Sequence, residues 1–532
     1  MNNQKISISY LNNSLKTHWR SDLSAGFMIS LIALPLCLGI AIASGLPPMA
    51  GIIAGIVGGL FLSLTGGSHL TINGPAAGLA VIVLTSVEGF KLMAPVGLTP
   101  EQIEHFAYQN TLAVGFVCGL LQILFGFAKA GILSSFFPSS VVHGMLAAIG
   151  IMIFSKQFHV AMGVKPEAND MLGVIAAIPS SVIHMNPHIA IISFVSLIIL
   201  IGHPYIKNKY IKRIPAPLVV ILIAIPLGRY YNLEAETKYL VTIPAHFLDG
   251  IILPDFSNIL TPFAIQMVIT YALVASLESL LTSAAIDRLD PEKRSSDFNR
   301  ELFSKGGGNI LSSFLGGLPI IAEVVRSSAN INSGAKSPWA NFYHGLFLLI
   351  FVVFLGGIIH QIPLSALAAM LMVTGYKLAS PQSFIQTYRI GKEQLGIFVS
   401  TIVFTLAVDL LVGIAAGVLI KLLIHIFNGL PIKSIFKPFL TINKTDEDTY
   451  RVEVMYSAVF SNFSGFKKQI MELPRGKHIE INFENTILVD HSVMKNLQEI
   501  KISYEESGGS FKLIGLENHK SLSKYKTSGR KK

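Results

Sequence analysis

The chain has 532 residues, 51% of them hydrophobic and only 14% charged, with a mean hydropathy of +0.58. That balance excludes a soluble globular protein and points to a polytopic membrane protein. The net charge of +10 is read as Lys- and Arg-rich cytoplasmic loops rather than a nucleic-acid surface. The two cysteines, Cys37 and Cys118, both lie in apolar spans, a place for core packing rather than a disulfide or a thiolate metal site.

Residues 1–22 are polar and read as a cytoplasmic N-terminal segment, with no cleavable leader, because the apolar run that follows is too long and continues into further spans. From Leu23 through Val87 there is no Asp, Glu, Lys or Arg. One span takes about 20 apolar residues, so this stretch holds two spans and most of a third. Further charge-free runs lie between Glu104 and Lys129, between Lys129 and Lys156, and over Met171–Ile206, Phe256–Leu277 and Ser337–Tyr376. The predicted spans are 24–44, 48–65, 74–87, 107–127, 139–160, 186–204, 215–230, 261–284, 301–314, 319–334, 339–358, 362–379, 393–409 and 410–428, about fourteen within a transmembrane region 23–430. Segment 165–183, broken by Pro166 and Pro179, reads as an interfacial helix on the outer side.

Four basic clusters fall on one side of this topology. They are Lys5, Lys16 and Arg20; Lys207, Lys209, Lys212 and Arg213; Arg288, Lys293, Arg294, Arg300 and Lys305; and Lys377, Arg389 and Lys392. The positive-inside rule makes that side cytoplasmic, with both termini there, in a plasma (inner) membrane.

Two spans are broken near their starts by Gly and Pro. Gly66 to Gly78 contains Gly66-Gly67 and Asn73-Gly74-Pro75, and Gly316-Gly317-Leu318-Pro319 precedes Ile320-Ile321-Ala322. Irregular backbone at membrane depth survives only where protein or a wet cavity satisfies its polar groups, and a matched pair of breaks marks a transporter's central site. The breaks fall in spans three and ten, so the halves are related by seven spans. Because seven is odd, this predicts a 7+7 inverted repeat. A helix that begins inside the membrane leaves its first N–H groups unpaired and turns its positive dipole end inward. Asn73, Gly74 and Pro75 are expected to present the N–H groups of Ala76, Ala77 and Gly78. Pro319 is expected to present those of Ile320, Ile321 and Ala322, so that the two helix starts form an anion site.

Three ionisable residues stand near that site. Glu278 has Thr282 one turn later on the same face, and the pair suits either a protonatable carboxyl or a Na⁺ ligand set. Arg326 is read either as an anion ligand or as the partner of Glu323, three residues earlier, and Glu323 is also a candidate for cation coupling. His69, His143, His344 and His360 have no metal-ligand spacing and are read as packed or interfacial, and Asp409 as a helix turn. No metal site is firm; Glu278 and Thr282 are the one candidate pair, for Na⁺. No cofactor is expected, and no nucleophile–base pair, phosphate loop or metal cluster suggests an enzyme.

After Asn428 the character changes. Segment 431–448 reads as a basic linker and 449–522 as a small α/β module, with strands at Tyr450, His478 and Phe511 and helices at 464–472 and 491–507. Residues 523–532 read as a disordered basic tail.

Assembled, these features resemble the SulP anion transporter family, whose membrane part is followed by a STAS domain. Ala33 to Gly51, with Pro35 and Leu46-Pro47-Pro48, is similar to the family's first-span signature. Asn73-Gly74-Pro75-Ala76-Ala77 resembles its third-span break, and Glu278-Ser279-Leu280-Leu281 its eighth-span motif. Gly308-Asn309, Gly316 to Pro319, Arg326 and Asn330 to Gly334 resemble its tenth-span region. The resemblance implies core and gate domains, an anion between the third and tenth half-helices, elevator-like movement and a homodimer. Sulfate is placed first and bicarbonate second, coupled to H⁺ or Na⁺, with a cytoplasmic regulator acting on the STAS-like module. The chain departs from the family pattern at Ile320, Ile321, Glu323 and Val324, where small or hydroxyl residues are common. Asp490-His491-Ser492 resembles the regulatory turn of STAS modules, with His491 in place of a small residue. Two other functions stay open: a nucleobase–cation symporter of the same plan, and a membrane-anchored STAS-domain sensor.

Overall fold

The computed structural model describes residues 6–132, 138–166, 168, 170–208, 214–244, 247–474, 476–505 and 508–532. Lys5, Lys209, Lys212 and Arg213 of the basic clusters lie outside them. The chain divides into two compact parts, one built from residues up to 131 together with 149–378, the other from 132–148 together with 379–532.

The first part begins with α1 (Ile8–Ala43), so the segment read as an N-terminal extension is the first half of the first helix. Ser7 caps that helix, and the buried Asp22 accepts hydrogen bonds from the Lys336 and Ser337 amides and the Ser337 hydroxyl. These polar ties hold a segment that hydropathy alone leaves outside. There follow α2 (Pro48–Thr65), the short strand β1 (Asn73–Pro75), α3 (Ala77–Leu92), α4 (Pro100–Phe127) and α5 (Ser139–Ala161), the last running from one part into the other. The interfacial segment is two short helices, α6 (Met171–Ala176) and α7 (Ile178–Ile183), and α8 (Pro187–Gly202) and α9 (Ala216–Tyr230) come next. The second half repeats the order: α10 (Pro262–Leu289), α11 (Phe298–Phe314), β2 (Ile320–Ala322), α12 (Val324–Asn332), α13 (Trp339–Phe354) and α14 (Leu364–Leu378).

Each predicted span overlaps one of these helices or one of the three of the second part that follow. Seven of the described helices are long and apolar enough to cross a membrane, and α9 and α13 are shorter apolar ones. The breaks recur seven spans apart, as β1–α3 and β2–α12, which is the inverted repeat read from spacing. Small residues let the helices approach: a Cβ on Gly119 of α4 would stand 2.6 Å from the Gly306 carbonyl of α11.

In the second part, α15 (Pro381–Ile390) precedes α16 (Lys392–Ala407) and α17 (Leu410–Phe427). Asp409 is the N-cap of α17, its carboxylate accepting from the Val412 amide at 2.7 Å, as the helix-turn reading requires. The α/β module follows. It comprises β3 (Phe439–Lys444), β4 (Thr449–Ala458), α18 (Phe463–Met471), β5 (His478–Asn482), β6 (Thr486–Val489), α19 (His491–Glu505), β7 (Ser510–Ile514), β8 (Lys520–Ser521) and β9 (Arg530–Lys531). Strands β7, β5, β4 and β6 pair in parallel, while β3 and the β9–β8 hairpin add antiparallel edges. The core holds Val452, Ile479, Ile481, Phe511, Phe463, Phe466, Val493 and Leu497. Two boundaries move. Strand β3 begins inside the segment read as linker, and the segment read as a disordered tail contributes β9, because its backbone pairs with β6 at Leu488 and Val489.

Inside this part Lys421 of α17 is fully buried. Its ammonium stands 3.2 Å from the Asp490 carboxylate and donates to Ser492 Oγ at 3.0 Å, at the first turn of α19. Burial alone would raise the Asp490 carboxyl. Lys421, His425 and the Val493 and Phe460 amides outweigh it and hold the group below its ordinary value. The stabilisation is therefore present at neutral pH and is lost as pH falls through that lowered value. Asp490→Asn leaves Lys421 buried without its counter-charge, and should lower stability by about 3–5 kcal/mol. Thermal unfolding of the full chain checks this, and the double variant Lys421→Met/Asp490→Leu should recover most of the loss.

Candidate functional site

The two breaks meet. Strands β1 and β2 form an antiparallel ribbon in the register Asn73 with Ala322, Gly74 with Ile321, and Pro75 with Ile320. Backbone buried at this depth must find partners. The Ile320 amide donates to Asn309 Oδ1, the Ala322 amide to Ser279 Oγ at 3.3 Å, and the Glu323 amide to the Ile72 carbonyl at 3.0 Å. On the other strand, the Ile72 amide donates to Ser327 Oγ at 2.8 Å and the Asn73 amide to Asn341 Oδ1 at 3.2 Å.

The helix starts therefore differ from the sequence reading. Pro75 lies in β1 rather than in the first turn of a helix, and α3 begins at Ala77 with Ala76 as its cap. Pro319 precedes a strand, so Ile320, Ile321 and Ala322 are ribbon residues. The helix starts at Val324, capped by Glu323. Neither cap side chain accepts a hydrogen bond from the backbone amides of its helix. The donors at the two starts are accordingly the N–H groups of Ala77 and Gly78 and of Val324 and Val325. Antiparallel strands send α3 and α12 off in opposite directions, so their positive ends face each other along the ribbon.

Glu278 of α10 is buried against the first of these ends. A Cβ on Gly78 would fall onto its carboxylate, so the glycine lets the carboxyl sit against the backbone, and among the described residues Oε1 has no hydrogen-bond partner. Thr282 follows one turn later on α10 and is also buried. At the second end, Glu323 pairs with Arg326 through Nε at 2.7 Å and Nη2 at 3.0 Å. The guanidinium, 0% exposed, also donates to the Pro75 carbonyl at 2.9 Å and stands 3.6 Å from Cys37 Sγ. Of the two roles open to Arg326, the geometry carries the ion pair and adds a brace from α12 to β1. A Cβ on Gly74 would stand 2.8 Å from Nη1, which explains that glycine.

Sequence reasoning missed the support behind β1. Lys305, counted among cytoplasmic loop charges, is fully buried on α11. It donates to Asn73 Oδ1 and pairs with Glu301 at 2.6 Å, whose other oxygen accepts from the Gly67 amide at 2.8 Å. Behind β2, Asn309 donates to Gln122 Oε1 at 2.6 Å, and Gln122 donates to Ser276 Oγ at 3.2 Å. Polar residues inside the apolar runs of α4 and α11 were the available signal. The histidines do not gather: His69 bonds Tyr10 and His360 the Val241 carbonyl. Among the described residues no group of three His, Cys, Asp or Glu could hold a metal ion.

The arrangement offers two half-charges of helix dipole, a neutral ion pair and one carboxyl beside Gly78. Helix starts of this kind can hold a small anion. The sulfate permease family model matches residues 19–401, and the chain belongs to that family. It is a transporter rather than an enzyme. A putative sulfate transporter, YvdB of Bacillus subtilis, is 26% identical over 77% of this chain and 74% of its own length. The bicarbonate transporter BicA of a Picosynechococcus strain is 25% identical over 76% of this chain and 70% of its own length. The solved structure of SLC26A9 superposes with a TM-score of 0.70 at 18% identity, covering 96% of this chain and 86% of that one. The fold is thus the inverted-repeat membrane domain with its C-terminal STAS-like sheet.

Proposed function

We propose that the chain is a secondary active transporter of a small inorganic oxyanion, sulfate first and bicarbonate second, driven by proton uptake at Glu278. The observation that carries this is the Glu278 carboxyl seated on Gly78, at the positive start of α3. Ionised, it satisfies that helix end itself and repels an anion. Protonated, it loses its charge and leaves the end open. The dipoles of the two helix starts amount to about one positive charge together, and the Glu323–Arg326 pair adds none. Sulfate, carrying two negative charges, needs the proton more than bicarbonate does. Relatives named as sulfate transporters support sulfate as the first reading, and those named BicA support bicarbonate as the second.

Ribbon and braces tie both helix starts to α10 and α11, so the site moves as one body in an elevator-like step. Sodium between Glu278 and Thr282 is the second coupling reading, supported by the buried hydroxyl one turn away. The ion pair at Glu323 removes the free acid that a nucleobase site would use, and the module's own core is compatible with regulation from the cytoplasm. A homodimer in the inner membrane, with both termini cytoplasmic, completes the proposal.

Proteoliposomes provide the test. Labelled sulfate uptake should rise when the outside is acidified and should not respond to Na⁺. Uptake driven only by Na⁺ would move the coupling to Thr282. Uptake of bicarbonate but not sulfate would overturn the substrate, and absence of any flux would favour a sensor.

A further inference from the structure

The chain leaves α17 by a turn that keeps it close to the end of that helix. Long and apolar enough to cross a membrane, α17 carries an exposed apolar stripe of Leu419, Leu423, Ile426 and Phe427 that runs to its last residue. The helix stops in a Schellman turn. The Leu430 amide donates to the His425 carbonyl at 3.0 Å and the Gly429 amide to the Ile426 carbonyl at 2.9 Å, with Gly429 at φ 91°. Such a turn carries the chain off the helix axis. Ile432 comes five residues after Phe427 and so lies within about 17 Å of the helix end.

The segment beyond the turn is clamped onto the α/β module. Leu430 and Ile435 pack with Val459 and Leu488. Buried Ser434 bonds Ser457 Oγ at 2.7 Å, and Asn462 Nδ2 donates to the Ser434 carbonyl at 2.8 Å. Left outside are Ile432 and Phe436, 78% and 67% exposed, each followed by an exposed lysine. Those lysines rest on aromatic rings of the module: Lys433 Nζ stands 3.8 Å from the Tyr456 centroid, and Lys437 Nζ 5.5 Å from that of Phe439. Among the described residues no carboxylate pairs with either lysine, and Glu453, the one acid of β4, pairs with Arg451 at 3.4 Å. Apolar side chains interleaved with ammonium groups, fixed beside the end of a spanning helix, match the boundary where acyl chains meet headgroups.

We propose that Phe427, Ile432, Lys433, Phe436 and Lys437 form a docking surface for anionic phospholipid in the leaflet where α17 ends. The apolar side chains enter below the headgroups, the ammonium groups hold lipid phosphates, and the module is seated on the membrane through Tyr456 and Phe439. The surface requires only that α17 crosses the bilayer. It is independent of the transported anion and of coupling at Glu278.

Phe436→Trp in the full chain, reconstituted in nanodiscs, reports the contact. The probes are phosphatidylglycerol and phosphatidylcholine brominated on their acyl chains, each diluted into unbrominated phosphatidylcholine. The parent chain, measured in the same discs, accounts for Trp19 and Trp339. The variant's added emission should be quenched by both lipids, with phosphatidylglycerol reaching half-quenching at a roughly tenfold lower fraction, within the thirtyfold or so that two lysines near an anionic surface supply. Adding Lys433→Gln/Lys437→Gln should remove that preference, Lys433→Arg/Lys437→Arg should keep it, and high salt should reduce it. No quenching beyond the parent, equal quenching by the two lipids, or a preference untouched by the Gln pair overturns the proposal. Absent quenching, with a blue-shifted emission only in discs holding two copies, overturns it too and assigns the face to a second copy of the chain.

Discussion

Glu278→Gln is expected to abolish the response of sulfate accumulation to an inward proton gradient while the protein stays folded. The substitution keeps the size of the side chain and its capacity to hydrogen-bond beside Gly78, and removes only the titration. The variant mimics the protonated form permanently. It should still admit an anion to the start of α3, but it cannot release a proton on the other side. One pH unit across the membrane is worth about 1.4 kcal/mol per proton, a tenfold accumulation ratio. The variant should lose that factor for each unit of gradient and relax to simple equilibration. On the proposed proton coupling, wild-type uptake rises with external acid, and the variant's does not. Steady-state labelled sulfate in proteoliposomes at several imposed gradients measures it. A gradient dependence unchanged from wild type would make Glu278 a structural group and end the proton reading. An unaltered folded population by size-exclusion chromatography is needed beside it, because a buried carboxyl without a partner on Oε1 is also a stability liability.

Much of this was legible in the chain because the bilayer imposes simple rules. Spans follow from charge-free length, and both breaks from Gly and Pro where apolar helix should continue. Glu278 stands out because a carboxylate inside such a run is rare. What could not be read depends on contacts distant in sequence. The start of α12 was placed at Ile320 because proline is followed by helix in the simplest pattern. The β1–β2 ribbon, which joins residues about 250 apart in the chain, takes Ile320 to Ala322 for strand. Lys305 counted as a loop charge for the same reason: hydropathy cannot tell a solvated lysine from one held by Glu301 and Asn73. Strands β8 and β9 have two residues each, too short for any alternation to show, and exist through their partners. The Glu323–Arg326 pair was visible as one of two readings, since residues three apart on a helix share a face. Only the carbonyl of Pro75, across the ribbon, decides that the guanidinium serves as a brace.

That brace leads to the other large effect. Arg326→Ala removes the positive group bonded to Glu323 and cuts the tie from α12 to the Pro75 carbonyl. Breaking a buried pair by deleting one partner costs about 3–5 kcal/mol, because the remaining charge has neither water nor counter-ion. Here the stranded carboxylate also caps the start of α12, where it repels the anion. Uptake of sulfate and of bicarbonate should both fall by two orders of magnitude or more, the range that roughly 3 kcal/mol implies. The thermal midpoint should fall with them. Neutralising both partners separates the causes. Glu323→Gln/Arg326→Met takes out the stranded charge and fills much of the volume, so stability should return while uptake recovers only in part, since the brace to Pro75 stays cut. The coupling between the two positions in a double-mutant cycle should exceed 1 kcal/mol or so, as expected for residues in direct contact. A direct anion ligand would behave otherwise. Arg326→Ala would then spare the thermal midpoint, weaken doubly charged sulfate far more than bicarbonate, and gain nothing from Glu323→Gln. That pattern would return Arg326 to the substrate, whereas parallel loss of both anions with rescue by the double variant assigns it to holding the two helix starts together.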